Sequence, residues 1–213
     1  MSGVSEKNSG RPPTPSVLDP RTRGRDQEVL EAGAEVFARK GYAAATVQDV
    51  ADELGILKGS LYYYIRTKED LLFRVMLEVH EAADALHAEV EAAELAALER
   101  LLLYVRLQLA WNARNLVKIS VYYNDLRQLG TERLAEIRQR GRSHERFIVD
   151  LIAEGQRAGD IIPEADAFLL ANQVFAVIIW PYRWFRPRNR QSIDALTAMC
   201  VDFVRGGLAA PRS

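Results

Sequence analysis

The chain has 213 residues, room for one large or two small domains, and its 48% hydrophobic content can bury a core, which excludes a disordered protein. Twenty-eight Lys and Arg against 29 Asp and Glu leave a net charge of -1, so a polybasic coat for nucleic acid is excluded and any such contact rests on a few well-placed cations. The lone Cys200 excludes an internal disulfide and fits a reducing compartment.

Met1 to Pro20 is rich in Ser, Gly and Pro without periodicity and reads as a disordered tail. It carries no signal-peptide core. Arg21, Arg23 and Arg25 follow, either a minor-groove arm or a solubilising flank. Val29, Ala32, Gly33, Val36 and Phe37 then recur at helical spacing, and Gly41 supplies a C-terminal cap on which Tyr42 can pack.

From Thr46 to Leu72 the sequence is TVQDVADELGILKGSLYYYIRTKEDLL. Thr46 with Asp49 makes a capping box, so a helix starts at Val47 with Val50, Ala51 and Leu54 inward. Gly55 provides the positive φ of a sharp turn, Ile56 plugs the core beneath it, and a second helix starts near Lys58. Leu61 and Ile65 form its buried side; Lys58, Gly59, Ser60, Tyr62, Tyr63 and Tyr64 form its outer side. A helix this short has little stability of its own and makes sense as an element held out for a DNA major groove. Gly59 lets backbone approach the duplex, Lys58 and Ser60 can reach base edges, and tyrosine hydroxyls can bond phosphate. Thr67 and Asp70 repeat the capping box, and Lys68 stands at the next helix N-terminus, where an anion is favoured.

These features, above all Gly59-Ser60-Leu61-Tyr62 with Lys68 and Leu71, resemble the helix-turn-helix signature of the TetR family of bacterial transcriptional regulators. The resemblance is specific over roughly residues 25 to 75. By position it makes Thr46, Tyr62, Tyr64 and Lys68 phosphate contacts, and Lys58, Gly59, Ser60 and Tyr63 base-facing. Leu57 departs from the pattern, standing where a Ser or Thr normally caps the reading helix; Tyr64 and Ile65 replace a common His and Phe. The resemblance implies an all-α protein: a helix-turn-helix domain over 21–72 after the tail 1–20, then an effector-binding and dimerisation domain over 73–213. It further implies a homodimeric repressor that holds a double-stranded DNA operator and is released by a small molecule.

The remaining helices follow from periodicity: Leu71 to Leu86, Leu95 to Leu109, Val117 to Gln128, Thr131 (as cap) to Ala158, Pro163 to about Phe185, and Ser192 to Gly206-Gly207. That makes about nine helices in all. Leu102, Val105, Leu109, Trp111 and Tyr122 supply more large apolar groups than a small bundle needs, and Gln108 and Asn172 could orient a ligand among them. Trp180 and Trp184 share a helix face beside Arg183, which suits a ligand with an apolar body and an anionic head, or equally a dimer interface. The segment resembles one in TetR-type regulators of lipid and sterol catabolism that respond to acyl-CoA thioesters. Leu169, Leu170, Val174, Leu196, Met199 and Phe203 suit a four-helix dimer interface, the arrangement usual in that family.

The most apolar run, Phe168 to Trp180, is broken by Asn172 and Gln173 and is too short for a bilayer, so a cytoplasmic protein without membrane contact is expected. No phosphate loop, HExxH, GxSxG or CxxC is present, so no catalytic residue, cofactor or metal is expected. A helical enzyme or carrier holding an acyl chain is the rival reading. His80 and His87 lie seven apart on one helix face and could share a metal only with a carboxylate such as Asp84 or Glu91; exposed helical histidines are expected instead, and His144 is remote in sequence.

Overall fold

A computed structural model of the chain describes residues 20–188 and 190–210. The expected tail over 1–19 lies outside them. Pro20 already belongs to α1 (Pro20–Lys40), so the backbone at Arg21, Arg23 and Arg25 is helical and not an extended arm. Arg25 bonds Glu28 one turn on.

Next come α2 (Val47–Glu53), the one-turn α3 (Lys58–Leu61) and the long α4 (Lys68–Glu91). These local rules hold closely. Gly41 has φ 76° and Gly55 φ 64°, both left-handed turns that glycine adopts without a Cβ penalty. The Phe37 and Tyr42 rings meet edge-on at 5.3 Å. At α2 the Thr46–Asp49 capping box is complete. At α4 the box is skewed: Thr67 accepts from the Asp70 N–H, but Asp70 reaches back to the Arg66 N–H at 3.2 Å.

Then follow α5 (Ala97–Arg114), α6 (Leu116–Asp125) with a 3-10 turn, α7 (Thr131–Ala158), α8 (Ala167–Ile179), the one-turn α9 (Pro181–Trp184) and α10 (Arg190–Leu208). Two expectations shift here. Gly130, not Thr131, occupies the N-cap of α7, and its N–H donates to Glu69 at 3.0 Å. The helix expected over Pro163 to Phe185 instead begins after Asp166, whose carboxylate caps it. It breaks at Trp180 because Pro181 has no N–H to continue the ladder. With α9 counted as its outlying turn, the nine expected helices are present. Among the described residues no strand forms beyond a single bridge between Ile161 and Ala209, and no helix is long and apolar enough to cross a membrane.

Two cores form. One gathers Val29, Phe37, Val50, Leu61, Ile65 and Leu72, and also takes in Val121 and Ile137 from α6 and α7. The other joins Leu101, Val105, Ile152, Val174 and Val204. Helix α4 enters both, with Val75 and Met76 in the first and Val90 in the second. At Gly33 α1 packs directly on the Leu71 side chain of α4: an added Cβ would lie 2.6 Å from its Cδ2.

That contact generates a prediction. Gly33→Ala gains roughly 1 kcal/mol of helix propensity but overpacks a buried site, for a net loss of about 1–2 kcal/mol in urea unfolding. Leu71→Ala alone costs about 2–5 kcal/mol, and the double variant should lose less than the sum.

Candidate nucleic-acid interface and ligand cavity

The reading head is built around α3. Leu57 precedes it with no side-chain cap and is 80% exposed, as its sequence position implied. Leu61 and Ile65 are fully buried and fasten the turn, while Lys58 and Gly59 are exposed and Ser60 is half-buried beside them. A Cβ at Gly59 would meet nothing within 4 Å, so the missing side chain serves no contact inside this molecule. Tyr62 is 49% and Tyr63 89% exposed.

Three of the expected phosphate contacts also make contacts within the chain. The half-buried Tyr64 ring packs on the head's core, and its carbonyl accepts from Arg74 at 2.6 Å. Thr46 is exposed, but its hydroxyl is engaged with Asp49. The Lys40 ammonium beside Asp49, with the Thr46 N–H and hydroxyl, holds that carboxyl down to about 2. The Lys68 ammonium donates to the carbonyls of Tyr42 and Ala45, each at 2.8 Å, and lies 4.3 Å from the Tyr42 ring centre. Two of its three donors are thus spent on backbone.

Behind the head the first turn of α4 is tied to α7. Arg133 donates to Asp70 at 3.0 Å and lies 5.0 Å from the Phe73 ring centre. Deeper in, the buried Lys118 ammonium of α6 reaches Glu78 of α4 at 2.5 Å, and Gln27 of α1 donates to the same oxygen at 3.0 Å.

A cavity of about 130 Å³ lies between α4, α5, α6, α7 and α8. Of the expected ligand contacts, Gln108 and Tyr122 line it. Tyr104, Gln108 and Asn112, one turn apart on α5, form a buried ladder: the Tyr104 hydroxyl donates to Gln108 at 3.3 Å, Gln108 to Asn112 at 2.9 Å, and Asn112 to the Ile178 carbonyl at 3.1 Å. Burial pushes the Tyr104 hydroxyl well above its ordinary range and Tyr122 up to about 12, so both stay protonated. Leu102, Val105 and Leu109 are buried core residues outside the cavity wall, and the half-buried Trp111 is also absent from it.

The histidines correct the sequence expectation. His80 and His144 are 4% and 6% exposed, with rings nearly parallel and centres 4.9 Å apart, and His87 is half-buried and stacks on Phe147 at 3.9 Å. Burial lowers all three, His80 to about 3 and His87 to about 4, so they are neutral at physiological pH. Sequence offered one hint, the seven-residue spacing on α4; the α7 partner is 64 residues from His80.

Trp180, Arg183, Trp184 and Asn172 are not in the cavity. All are exposed, and Asn172 bonds the Phe168 carbonyl of its own helix at 2.9 Å. Trp180 and Trp184 instead border a surface groove of about 390 Å³ between α8 and α10. Trp180, Trp184, Met199 and Phe203 of its lining are each more than half exposed, and so is Leu169 one turn before Gln173. So much large apolar surface is unusual for a monomer.

Comparison with known proteins adds to this geometry. Residues 29–75 match the profile of bacterial regulatory proteins of the tetR family, and residues 94–208 that of tetracyclin repressor-like C-terminal domains. The chain is 26% identical over 199 residues to the HTH-type transcriptional repressor KstR2 of Mycolicibacterium smegmatis, covering 92% of this chain and 95% of that one. A solved structure of the ketosteroid transcriptional regulator KstR2 of Mycobacterium tuberculosis has a TM-score of 0.81 at 25% identity, covering 88% of this chain and 96% of that one. A bacterial regulatory protein of the tetR family from Rhodococcus RHA1 gives 0.76 at 29% identity, covering 88% and 98%.

The Lys68 geometry predicts a stability effect separable from any ligand. Lys68→Met keeps an apolar stem over Tyr42 but loses two charge-assisted bonds, which should cost the free protein about 1.5–3 kcal/mol in urea unfolding. A lysine serving only an external phosphate would leave that midpoint unchanged.

Proposed function

The chain belongs to the TetR family of bacterial regulatory proteins, and on that premise we propose that it is a homodimeric repressor of a palindromic DNA operator, released by a small apolar or acyl-CoA-type ligand. The observation that carries the DNA reading is α3: a one-turn helix, locked from beneath by Leu61 and Ile65, whose outer edge leaves Lys58, Gly59 and, just beyond, Tyr63 exposed. Lys58, Gly59, Ser60 and Tyr63 form the base-reading edge. Tyr62 offers its hydroxyl to phosphate. Thr46, Tyr64 and Lys68 act beside them chiefly by fixing the backbone N–H groups at the starts of α2 and α4, with the third Lys68 donor left for phosphate.

The apolar α8–α10 face supports the dimer. Buried against its two-fold mate it makes a four-helix interface and sets two heads on successive major grooves. The cavity supports effector control. Val79, His80 and Ala83 of its wall lie on one face of α4, a turn beyond Val75 and Met76 of the head's core. A ligand wedged there tilts α4 and changes the separation of the heads, a shift between two dimer shapes. At about 130 Å³ the cavity is below the roughly 300–1,000 Å³ of common ligand sites, so it takes an acyl end or a small ligand and widens for more. The ketosteroid in a relative's name supports an apolar body for the effector.

Fluorescence anisotropy on a palindrome from the protein's own promoter region tests the first part. Two chains should bind per duplex, Lys58→Ala should weaken binding by about 1–3 kcal/mol and relax specificity at the base pair it reads, and Tyr62→Phe should weaken it by about 0.5–1.5 kcal/mol. Unchanged affinity in both variants would remove α3 from the interface. For the effector, acyl-CoA thioesters of graded length and the matching free acids are titrated into the complex. Release by a subset of thioesters is expected; no release at any length would overturn the acyl-CoA assignment.

A further inference from the structure

Asp84 and His87, one helical turn apart on the same face of α4, meet His144 of α7. One oxygen or nitrogen atom from each lies within 4.8 Å of the others. His144 is 6% exposed, and its Nδ1 has no hydrogen-bond partner; Nε2 of His87 is likewise buried and unpartnered. Oδ1 of Asp84 stands 3.8 Å from His144 Nδ1, too far for a hydrogen bond. Two buried ring nitrogens without hydrogen-bond partners and a carboxylate are therefore gathered at one place.

The opposite side of His144 explains why such a nitrogen is available. His144 Nε2 is 2.7 Å from His80 Nδ1, and His80 Nε2 is 3.1 Å from the Tyr122 hydroxyl. With His144 protonated on Nε2, that N–H donates to His80 Nδ1, and the His80 Nε2–H donates to Tyr122. Nδ1 of His144 then carries a lone pair toward Asp84 and His87. This is the outer-shell arrangement that fixes the tautomer of a metal-binding imidazole. Arg140 is the opposing charge: it lies 3.4 Å from Oδ2 of Asp84, leaving Oδ1 unshared. Glu136 of its own helix, at 3.7 Å, gives it a second partner, so releasing Asp84 does not strand it.

We propose that Asp84, His87 and His144 bind a divalent transition-metal ion of the zinc type, with His80 and Tyr122 as positioning residues for His144. Two imidazoles and one carboxylate suit such an ion, whereas calcium and magnesium require oxygen-rich shells. Three protein ligands leave a further coordination position for water or an exogenous group. The bound ion would cross-link α4 to α7. Because binding is read without DNA, the proposal stands or falls apart from the operator reading.

The test uses the full chain, stripped of metal with a chelator and titrated with Zn²⁺ in competition with a chromogenic chelator; Co²⁺ serves as the spectroscopic probe. One ion per chain is expected. His87→Phe keeps a ring stacked on Phe147 while removing both nitrogens, and should weaken binding by about 100-fold or more. Asp84→Asn, on the surface and safe for folding, should weaken it by about tenfold or more. His80→Phe should leave the stoichiometry at one, weaken binding by roughly tenfold and shift the Co²⁺ visible bands. Less than one Zn²⁺ per native chain, or affinity unchanged in both His87→Phe and Asp84→Asn, would overturn the assignment.

Discussion

The first turn of α4 is the constraint on which the rest of the molecule depends. Lys68 ties it to the α1–α2 turn through the carbonyls of Tyr42 and Ala45. Asp70 ties it to the chain leaving α3 through the Arg66 N–H, and to α7 through Arg133. Glu69 caps the start of α7 through the Gly130 N–H. Three segments, the α1–α2 turn, the α3 exit and the start of α7, are thus referenced to one helical turn. Most of these bonds involve a charged group, the stronger class of hydrogen bond. A short α3 can be held in a fixed place because its supports, not its own ladder, define where it lies.

From that turn α4 runs through both cores. A helix shared in this way cannot tilt for one core without being felt by the other, since packed interiors transmit displacement instead of absorbing it. The polar groups along it reinforce this. Glu78 collects Lys118 from α6 and Gln27 from α1, a buried pair of the kind that fixes geometry more than it adds stability. Further along, His80 joins α4 to Tyr122 and His144 in the wall of the cavity.

What the sequence makes legible is what physics decides over a few residues. The α2 cap, the glycine turns at Gly41 and Gly55, the uncapped Leu57 and the buried Leu61–Ile65 pair all depend on neighbours within about one turn, and all are present as expected. Expectations fail where distant segments meet. Tyr64 was placed outside because its two neighbours are outside, but the α3 exit turns its ring onto the core. Lys68 sits where an anion is favoured, and carbonyls of the α1–α2 turn, distant in sequence, take two of its donors. Three histidines typical of a solvated face are drawn together only because α7 crosses α4 there. Trp180 and Trp184 carry the right chemistry for a ligand wall, but the break at Pro181 puts them outside.

The Gly33–Leu71 contact bears on how motion would travel. With no side chain on α1 at this position, only the buried Leu71 side chain lies between the two helices, which couples them closely. Helix α4 then behaves as a lever with little backlash. From Ala83 to Lys68 it spans 15 residues, about 22 Å at 1.5 Å per residue. A tilt of about 5° over that length swings the head by about 2 Å, and in the dimer proposed above two heads would part by about 4 Å, set against half-sites about 34 Å apart. Under that proposal a small angular change at the cavity would be geared into a linear misfit large enough to take a side chain out of hydrogen-bond reach of its base.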